Sequence, residues 1–491
     1  MTSTEIVLRA TKLPFKGSLH PFQSEDLNTL APADNCGLYH DLGLGKTTIA
    51  FLIGVYKIVI GAFKLCFVIC PESLISQWCE VLGKTDVDVL AYRGSPSERA
   101  KMNLNKYEFV VMSYQIFQKD YDRLKKFNAF NIVDEATILC NSRNVLWKMF
   151  QGGETRKVVP VPGKLKPEIK VTRYEPFNKG AALLTATPIN RPEDAYGLIK
   201  IVSPEIYTNF DQFQRIHVAE SDQYDRAKEY INLDLLKRNL LVNAVQRFKE
   251  DHLELPPIIF KTIGYDLDPK HLEFYRRTVK SKLIDLGDGE QVMNPPALYN
   301  WSQRLVLCPE LAANYTGKEP VGFELLDQLI AAQSKFLVFC KYKDTNRKIM
   351  NRYDIGGFYG ETTSKEQDEF LSRFKHGDLR GMTLHPKSGG FGLDLPEAKY
   401  LNFLEFPVTP RDFRQCCGRA WRQGQADKVT VVVPFARKTI QETLVHRAFD
   451  TDDLMSEVVE MRRSLKNDLL DNIEFIAPRS KKEVMKELMG E

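Results

Sequence analysis

The sequence contains a run, DLGLGKTT, whose residue types and spacing suit phosphate binding. Two glycines, Gly43 and Gly45, let the backbone turn tightly and direct its N–H groups at phosphates, and a following helix would add its positive N-terminal end. Lys46 would neutralise phosphate charge and the Thr47 hydroxyl would hold Mg²⁺, with Thr48 next to it in the same site. The run therefore predicts a binding site for the phosphates of a nucleotide.

A second run, NIVDEAT, ends an apolar stretch with two carboxylates, Asp134 and Glu135. Asp134 would bind Mg²⁺ through water, and Glu135 would orient and activate an attacking water. Both runs also have an ordinary interpretation. An acidic pair is a common helix N-cap. The first run departs from the full phosphate-loop pattern, because His40 stands where that pattern has its first glycine. Its alternative is therefore a chance glycine-rich loop. Their distance along the chain does not decide the matter, but the motifs that accompany them do.

The composition is that of an ordinary globular protein with more than one domain. Its 491 residues exceed one compact core, so two to four domains of ~100–200 residues are expected. The net charge of +4 is small, so any affinity for nucleic acid must come from a local patch. The nine cysteines are odd in number and form no CxxC pair, which argues against a zinc ribbon or a disulfide framework.

The sequence shows no signal peptide and no membrane span. The N-terminus lacks an apolar core. The most apolar long stretch, 49–70, is interrupted by Lys57, Gly61 and Lys64, and it predicts a buried helix followed by a buried strand. We therefore expect a cytoplasmic protein, in the host cytoplasm if the source is viral, with no membrane partner.

Short apolar runs alternate with helical patterns and predict two α/β lobes. Apolar strands separated by helices are typical of parallel sheets covered on both faces. The predicted strands are 64–70, 107–113, 130–135 and 181–187 in the first set, and 335–340, 355–360, 379–385, 399–406 and 428–435 in the second. We accordingly expect a first lobe over 1–206, helical insertions and a linker over 207–330, a second lobe over 331–450 and a helical tail over 451–491.

One segment of the first lobe, 151–180, does not fit this alternation, since it is rich in proline, glycine and basic residues. The stretches KVVPVPG and EIKVTRY flank a turn-like PGKLKP, so the segment predicts a projecting β-hairpin, in which prolines are tolerated at edges and turns. The alternative is a solvated surface loop. Its basic residues, including Lys164 and Lys166, would hold DNA phosphates.

Taken together, the motifs resemble those of the Snf2-like branch of superfamily 2 helicases and DNA translocases, over roughly 15–445. The resemblance is carried by the two runs above and by six others in the family's order: LHPFQSEDL, ICPESLISQW, VVMSYQIF, LLTATPINR, SGGFGLDL and QCCGRAWRQGQ. It implies two RecA-like lobes, ATP as the nucleotide and Mg²⁺ as its metal. Gln23 matches the residue that reads adenine. On the first lobe, Lys46, Thr47, Asp134 and Glu135 match the hydrolytic site.

The resemblance also implies roles for residues beyond the first lobe's hydrolytic site. The second-lobe residues that would complete the ATP site are Gln415, Arg419 and Arg422. Guanidinium groups suit a transferring phosphoryl group, whose charge spreads over three oxygens. The residues that would contact DNA, or couple it to the ATP site, are Ser113, Tyr114, Thr185, Thr187, Ser388, Gly389 and Gly390, with Gly392 and Asp394 in the same second-lobe loop.

The sequence departs from the family's pattern at several motif positions. Thr137 stands in place of a histidine, Ala186 in place of a glycine, and Trp421 in place of a histidine. Trp78 and its neighbour Gln77 are interpreted as packing residues, as is usual for tryptophan. These departures leave the catalytic carboxylates, lysine and arginines in place, so they question how hydrolysis is coupled to DNA and not hydrolysis itself.

The expected function is a DNA-stimulated ATPase, working as a monomer, that moves along DNA and unwinds or remodels forks and junctions. The short chain shows no appended chromatin-reading module, which favours compact viral or bacterial members of the family over a chromatin remodeller. Three alternatives stay open. They are a double-strand translocase that displaces bound proteins without strand separation, a phosphate-loop kinase or small NTPase, and an ATP-gated scaffold without turnover.

Overall fold

The computed structural model describes residues 1–159, 168–221, 227–287, 289–386, 393–407, 409–446, 448 and 473–474. It divides the chain into two compact units, one comprising Met1–His252 and one beginning at Leu253. Each unit is built around its own sheet and its own buried apolar core. Within the described ranges, no helix is both long and apolar enough to cross a membrane.

The first unit contains the following elements in chain order: α1 Ser3–Ala10, α2 Pro21–Leu30, β1 Asn35–His40, α3 Lys46–Val59, β2 Leu65–Cys70, α4 Ile75–Leu82, β3 Val89–Ala91, α5 Pro96–Lys101, β4 Phe109–Ser113, α6 Tyr114–Leu124, β5 Ala129–Asp134, α7 Val145–Gln151, β6 Gly153–Val159, β7 Glu168–Tyr174, β8 Ala181–Leu184, α8 Asp194–Val202, α9 Phe210–His217, β9 Val218–Ser221, β10 Ala227–Tyr230, α10 Leu233–Leu240 and β11 Ala244–Arg247. Its main sheet has seven strands in the order β11-β1-β8-β5-β2-β4-β3. Every pairing in this sheet is parallel.

The second unit contains these elements: β12 Ile258–Tyr265, α11 Pro269–Ser281, β13 Leu283–Asp285, β14 Glu290–Val292, α12 Pro295–Leu307, α13 Val321–Ala331, β15 Phe336–Phe339, α14 Lys343–Tyr353, β16 Gly356–Phe358, α15 Ser364–His376, β17 Gly381–Leu384, β18 Tyr400–Phe403, α16 Pro410–Ala420, β19 Val429–Ala436 and β20 Ile473–Glu474. A further helix follows β19 over 440–446. The main sheet has the order β16-β17-β15-β18-β19-β12-β20, with parallel pairings throughout.

The predicted fold class, two RecA-like parallel α/β lobes, is confirmed. Each apolar run predicted as a strand forms one, and the stretch predicted as a buried helix and strand is α3 followed by β2. Strand β2 shows why the prediction succeeds, because all six of its residues are buried and a fully covered parallel strand needs an unbroken apolar run.

The predicted boundaries at 206 and 330 differ from the division that the structure makes after His252. Strand β11 pairs with β1 at the edge of the first sheet, and β12 pairs with β19 in the second. The segment predicted as helical insertions therefore contributes a strand to each sheet and is shared between the two units. Of the predicted tail, 451–491, only β20 lies within the described residues.

The predicted β-hairpin is present as β6 and β7, which pair in antiparallel register from Gly153 opposite Tyr174 to Val159 opposite Glu168. The two strands form a sheet of their own. The predicted turn, with Lys164 and Lys166, lies outside the described residues.

Candidate nucleotide-binding site

Three neighbouring strands of the first sheet end at the site. Strands β1, β8 and β5 lie side by side and run parallel, so their carboxyl ends meet at one edge. The loop 41–45 follows β1, Thr185 follows β8, and Asp134 closes β5. In open α/β sheets this edge is where ligands bind. The topology thus brings together motifs that are far apart in the sequence.

The phosphate loop depends on two glycines in the left-handed region. The φ angles are 89° at Gly43 and 76° at Gly45, a region that residues with a side chain adopt only with strain. A Cβ on Gly45 would also lie 2.5 Å from Nε2 of Gln23. Gly45 caps the N-terminus of the 14-residue helix α3, whose positive end therefore lies at the loop. The loop and helix have the backbone geometry that the predicted anion site requires, and phosphate binding there stays a prediction.

Lys46 is the first residue of α3 and directly follows this loop. Its Nζ donates to the carbonyl oxygens of His40 at 2.6 Å and Asp41 at 3.1 Å. Thr47 and Thr48 occupy the first turn of α3 and are partly exposed. A phosphate oxygen would be a stronger acceptor for the ammonium group than a carbonyl, because both partners would then be charged.

Gln23 is buried, and both ends of its amide are engaged. Oε1 accepts from the backbone N–H of His20 at 3.0 Å, and Nε2 donates to the carbonyl of Leu44 at 3.2 Å. The side chain therefore connects α2 to the phosphate loop. Its role in reading adenine stays a prediction.

The Asp134 carboxylate is held in place by its neighbours. Its Oδ2 accepts a 2.8 Å hydrogen bond from the indole of Trp78, and its Oδ1 accepts one of 2.9 Å from the backbone N–H of Glu135. The Tyr114 hydroxyl donates to its backbone carbonyl. Trp78 is buried on α4, as predicted for a packing residue, but the sequence does not predict this polar contact.

Burial, followed by the neighbouring charge of Glu135, raises the pKa of Asp134 to about 6. The hydrogen bond from Trp78 and the charge of Lys46 act in the opposite direction. Glu135 itself adopts a left-handed conformation, with φ 52° and ψ 49°. Non-glycine residues seldom adopt it, and such strain is concentrated at functional sites.

The site's donor set fits Mg²⁺. Asp134 offers a carboxylate and Thr47 a hydroxyl, which are the hard oxygen ligands that this ion prefers. A cation would also offset the crowding of negative charge that raises the pKa of Asp134. Among the described residues, no cluster of three or more His, Cys, Asp or Glu could hold a metal by itself. The phosphates of the nucleotide would therefore have to complete the metal's coordination.

A buried charge cluster lies behind the phosphate loop. Arg247, from β11, donates to Asp26 at 3.0 and 2.5 Å, and Nε2 of His40 lies 3.2 Å from the same carboxylate. The side chains of Asp26 and His40 are fully buried. Burial lowers the pKa of His40. In Asp26 burial acts to raise the pKa, but His40 and Arg247 lower it overall. This cluster fixes β1, α2 and β11 around the loop.

The residues predicted to meet DNA from the first unit have local partners. Ser113 is buried, and its Oγ accepts from the N–H of Ile116 at the start of α6. Oγ1 of Thr185 donates to the carbonyl of Thr187 at 3.1 Å and accepts from its N–H at 3.2 Å. Ser113 and Tyr114 therefore organise the site from within, and their contact with DNA stays a prediction.

In the second unit, the predicted arginines lie at and just beyond the end of α16. Arg419 is buried and donates to the carbonyl of Leu393 at 3.2 Å. Arg422 forms an ion pair with Asp394, and burial lowers its pKa. Gln415 is buried on the same helix. Ser388, Gly389, Gly390 and Gly392 lie outside the described residues.

Two family models match the chain. One, described as the SNF2-related domain, matches residues 27–159 and 178–307. The other, described as the helicase conserved C-terminal domain, matches residues 322–424. The first model alone covers more than half of the chain.

The curated relatives that this chain resembles are longer than the chain itself. It is 24% identical over 481 residues to "Chromodomain-helicase-DNA-binding protein 1-like" of Mus musculus, and the alignment covers 90% of this chain and 50% of that protein. It is 22% identical over 505 residues to "ISWI chromatin-remodeling complex ATPase ISW1" of Saccharomyces cerevisiae, covering 94% and 42%. The chain thus spans half or less of these curated relatives. A solved structure, "Sulfolobus solfataricus SWI2/SNF2 ATPase core in complex with dsDNA", aligns at 19% identity with a TM-score of 0.43, covering 92% of this chain and 99% of that one.

Proposed function

Because the chain belongs to the SNF2-related family, we propose that it is a DNA-stimulated ATPase that translocates along DNA and unwinds or remodels forks and junctions. The observation that carries the proposal is the meeting of Lys46, Asp134 and Thr185 at one edge of a parallel sheet. One site then combines a phosphate-loop lysine, a metal-binding carboxylate and a turn suited to relay movement. A small kinase would lack the second unit, with its own parallel sheet and paired arginine.

In the proposed reaction, Lys46 exchanges its carbonyl partners for phosphate oxygens of ATP, and the first turn of α3 binds the same anion. Glu135 accepts a proton from the attacking water. Asp134 and Thr47 would hold Mg²⁺, which would neutralise charge on the phosphates. Arg419 and Arg422 of the second unit stabilise the charge of the transferring phosphoryl group.

Coupling to DNA runs through Thr185 and Thr187. Their turn follows β8, which lies between the strand that carries the phosphate loop and the strand that carries Asp134. A change in nucleotide state at either neighbour would therefore reach this turn directly. DNA contacts by the second-unit loop, at Ser388, Gly389 and Gly390, would be made to phosphates, so binding is sequence-tolerant and salt-sensitive.

A second candidate function is double-strand translocation that displaces bound proteins without separating strands. It is favoured by the relatives, since one of them is named as a chromatin-remodeling complex ATPase. The two candidates share the ATPase site and differ in the DNA that they process.

The test is ATP turnover without DNA and with single strands, duplexes, forks and four-way junctions, in parallel with assays of strand separation and of displacement of a bound protein. We expect the highest turnover and clear strand separation on forks and junctions. Lys46→Ala should abolish turnover while the circular dichroism spectrum is unchanged. Protein displacement without strand separation would select the second candidate. Turnover that no DNA stimulates would refute both.

A further inference from the structure

The hairpin β6–β7 is only partly matched by the family model. The model of the SNF2-related domain stops at residue 159 and resumes at 178, so it leaves out β7 and the connection between the strands. The strands pair only with each other, whereas the strands on either side of them in the sequence, β5 and β8, are neighbours in the main sheet. The hairpin is thus an addition to a complete sheet.

The base of the hairpin is fixed to the first unit. Phe177, just after β7, is buried, and its ring lies 4.8 Å from that of Phe117 and 6.2 Å from that of Phe150. Its backbone N–H donates to the carbonyl of Phe150 at 3.1 Å. The ring of Tyr174 packs edge-on against Tyr121 at 5.7 Å. A force on the strands would therefore be transmitted to the body of the unit.

The two faces of the hairpin differ in chemistry. On one face Val158 lies opposite Ile169, with Val171 next to them, and these side chains are 61%, 64% and 46% exposed. We call this the apolar face. Side chains alternate along a strand, so the other face carries the opposed pairs Lys157–Lys170, Thr155–Thr172 and, at the far end, Val159–Glu168. We call this the cationic face.

Each face has one acidic strand position: Glu154 stands on the apolar face, and Glu168, opposite Val159, stands on the cationic face. Glu154 pairs with Arg156 at 2.7 Å and lies 3.7 Å from Arg173, and all three belong to the strand positions of the apolar face. Lys157 and Lys170 lie directly opposite each other, and like charges in opposed strand positions destabilise a hairpin. A bound phosphate would relieve this repulsion. Threonine hydroxyls beside them add donors for such an anion.

We propose that this hairpin is a DNA-binding arm that engages the point where a duplex opens. DNA offers phosphates along its whole length, but it exposes the flat apolar surface of a base pair only where the stack ends or is interrupted. A ligand with both chemistries therefore fits the cationic and the apolar face of one two-stranded ribbon. Apolar side chains that contact opened base steps are an established mode of DNA binding.

In this arrangement Lys157 and Lys170 bind the phosphates of one arm, while Val158, Ile169 and Val171 cover the last base pair of the duplex. This inference rests on the proposed function, and it names the DNA structure that the hairpin recognises. The ordinary alternative is that the lysines only protect the hairpin's edges from aggregation, as lysines on exposed strands commonly do.

Two double variants separate the faces, and each has a matched control in the same unit. Lys157→Ala with Lys170→Ala removes the cationic face, and its control is Lys101→Ala with Lys106→Ala, which also removes two exposed lysines. Val158→Thr with Ile169→Thr makes the apolar face polar while keeping β-branched side chains. Its control is Val59→Thr with Ile60→Thr, whose side chains are 49% and 50% exposed.

The measurements are affinity for a labelled fork and for a blunt duplex at several salt concentrations, strand separation, and ATP turnover on plain duplex. We expect both hairpin variants to bind the fork at least fivefold more weakly and to separate strands at least fivefold more slowly, with duplex-stimulated turnover within twofold of wild type. The lysine variant should also lower the salt slope of fork binding by about 2, because each lysine that neutralises a phosphate adds about one to that slope. The threonine variant should leave the slope unchanged, and both controls should match wild type.

If both hairpin variants bind the fork and separate strands as well as wild type, the hairpin is not a DNA-binding arm. The lysines would then only protect the hairpin's edges from aggregation. Loss of self-association in the threonine variant by sedimentation, with fork binding retained, would overturn the arm in favour of a second copy of this chain. If wild type shows no DNA-stimulated turnover, the proposed function fails at that earlier step, so the two failures are distinguishable.

Discussion

The indole N–H of Trp78 donates a 2.8 Å hydrogen bond to Oδ2 of Asp134, which joins a buried ring on α4 to the carboxylate at the end of β5. The bond favours the charged form of Asp134, against the burial and the Glu135 charge that raise its pKa to about 6. A residue that serves the core thus also sets the protonation of the predicted metal ligand. Trp78 is a positioning residue, since it acts on the site through Asp134.

Trp78→Phe should therefore shift the pH dependence of ATP turnover. Phenylalanine keeps most of the packing but removes the donor, so the pKa of Asp134 rises further and a smaller fraction is ionised near neutral pH. We expect the acid limb of the turnover profile to move to higher pH, with a larger Mg²⁺ requirement at about pH 6.5 than at about pH 8.

Trp147→Phe is the matched control, because the Trp147 indole donates to the backbone carbonyl of Gly197 at 3.1 Å and not to a carboxylate. Its pH profile should coincide with that of wild type. Equal displacement of the profile in both variants would mean that the effect of Trp78 is general loosening of the unit.

The backbone at Glu135 offers a prediction that is independent of its side chain. Glu135→Gly and Glu135→Ala both lack the carboxylate. The difference in stability between them therefore reports the effect of the left-handed φ of 52°. The glycine variant should be more stable by about 1 kcal/mol, because alanine pays the steric penalty of that conformation. Both variants should bind ATP and fail to hydrolyse it.

The control pair is Lys119→Gly and Lys119→Ala, at an exposed position within α6. There the order of stability should reverse, with alanine more stable by about 1 kcal/mol. Urea unfolding followed by circular dichroism measures all four variants. If the glycine variant is the more stable one at both positions, or the alanine variant is at both, the left-handed conformation at Glu135 does not strain the protein.

What the sequence predicts well is what is local. Gly43, Gly45 and Lys46 are close together in the chain, and their phosphate loop follows from the conformations that glycine permits. Fully buried strands such as β2 are recognised from unbroken apolar runs. By contrast, β11 is four residues of mixed character, AVQR, and only its pairing with β1 makes it a strand.

What the sequence does not predict is contact between distant residues. Trp78 and Asp134 are separated by 56 positions, and Arg247 and Asp26 by 221. Neither pair shares a helix face or a strand register, so no periodicity reveals it. The motif ICPESLISQW does contain Trp78, but tryptophan is so often buried that packing is the better interpretation from sequence alone.

The pair of Arg422 and Asp394 yields a test of the second unit's role. Arg422→Ala should lower turnover by at least a hundredfold with ATP affinity within about fivefold, since arginine fingers in related phosphoryl transfer are worth ~10³–10⁵ in rate. Asp394→Ala removes the arginine's partner in this structure but leaves the guanidinium, so it should retain more turnover. Comparable loss of turnover and of thermal stability in both variants would show that the pair is structural.

The buried cluster of Asp26, His40 and Arg247 should stabilise the first unit. Arg247→Ala leaves the Asp26 carboxylate buried without the guanidinium that donates to both of its oxygens, which typically costs about 3 kcal/mol. Since the folded pKa of Asp26 is lowered, its contribution is present above the unfolded value and is lost as the pH falls through the folded one. Urea midpoints at pH 7 test the loss, with the exposed Arg143→Ala as control. A midpoint shift no larger than that of the control would contradict this role.

Glu405 gives the second unit a pH dependence of the opposite sign. It is 4% exposed, and burial raises its pKa to about 7, although Thr345 and the backbone N–H groups of Tyr342 and Lys341 donate to it. The folded state therefore holds this proton more tightly than the unfolded chain. The stabilisation is complete below the unfolded pKa of about 4.5 and is lost as the pH rises through about 7.

Glu405→Gln keeps an oxygen for the two backbone N–H groups and an amide for the Thr345 hydroxyl, but it has no charge to bury. We expect the variant and wild type to unfold at similar temperatures near pH 5, and the variant to be more stable at pH 8, by on the order of 2 kcal/mol. The exposed Glu324→Gln on α13 is the control and should follow wild type at both pH values. A difference between Glu405→Gln and wild type that is the same at pH 5 and pH 8 would show that Glu405 does not titrate in this range, and the pH dependence of the second unit would have to come from another group.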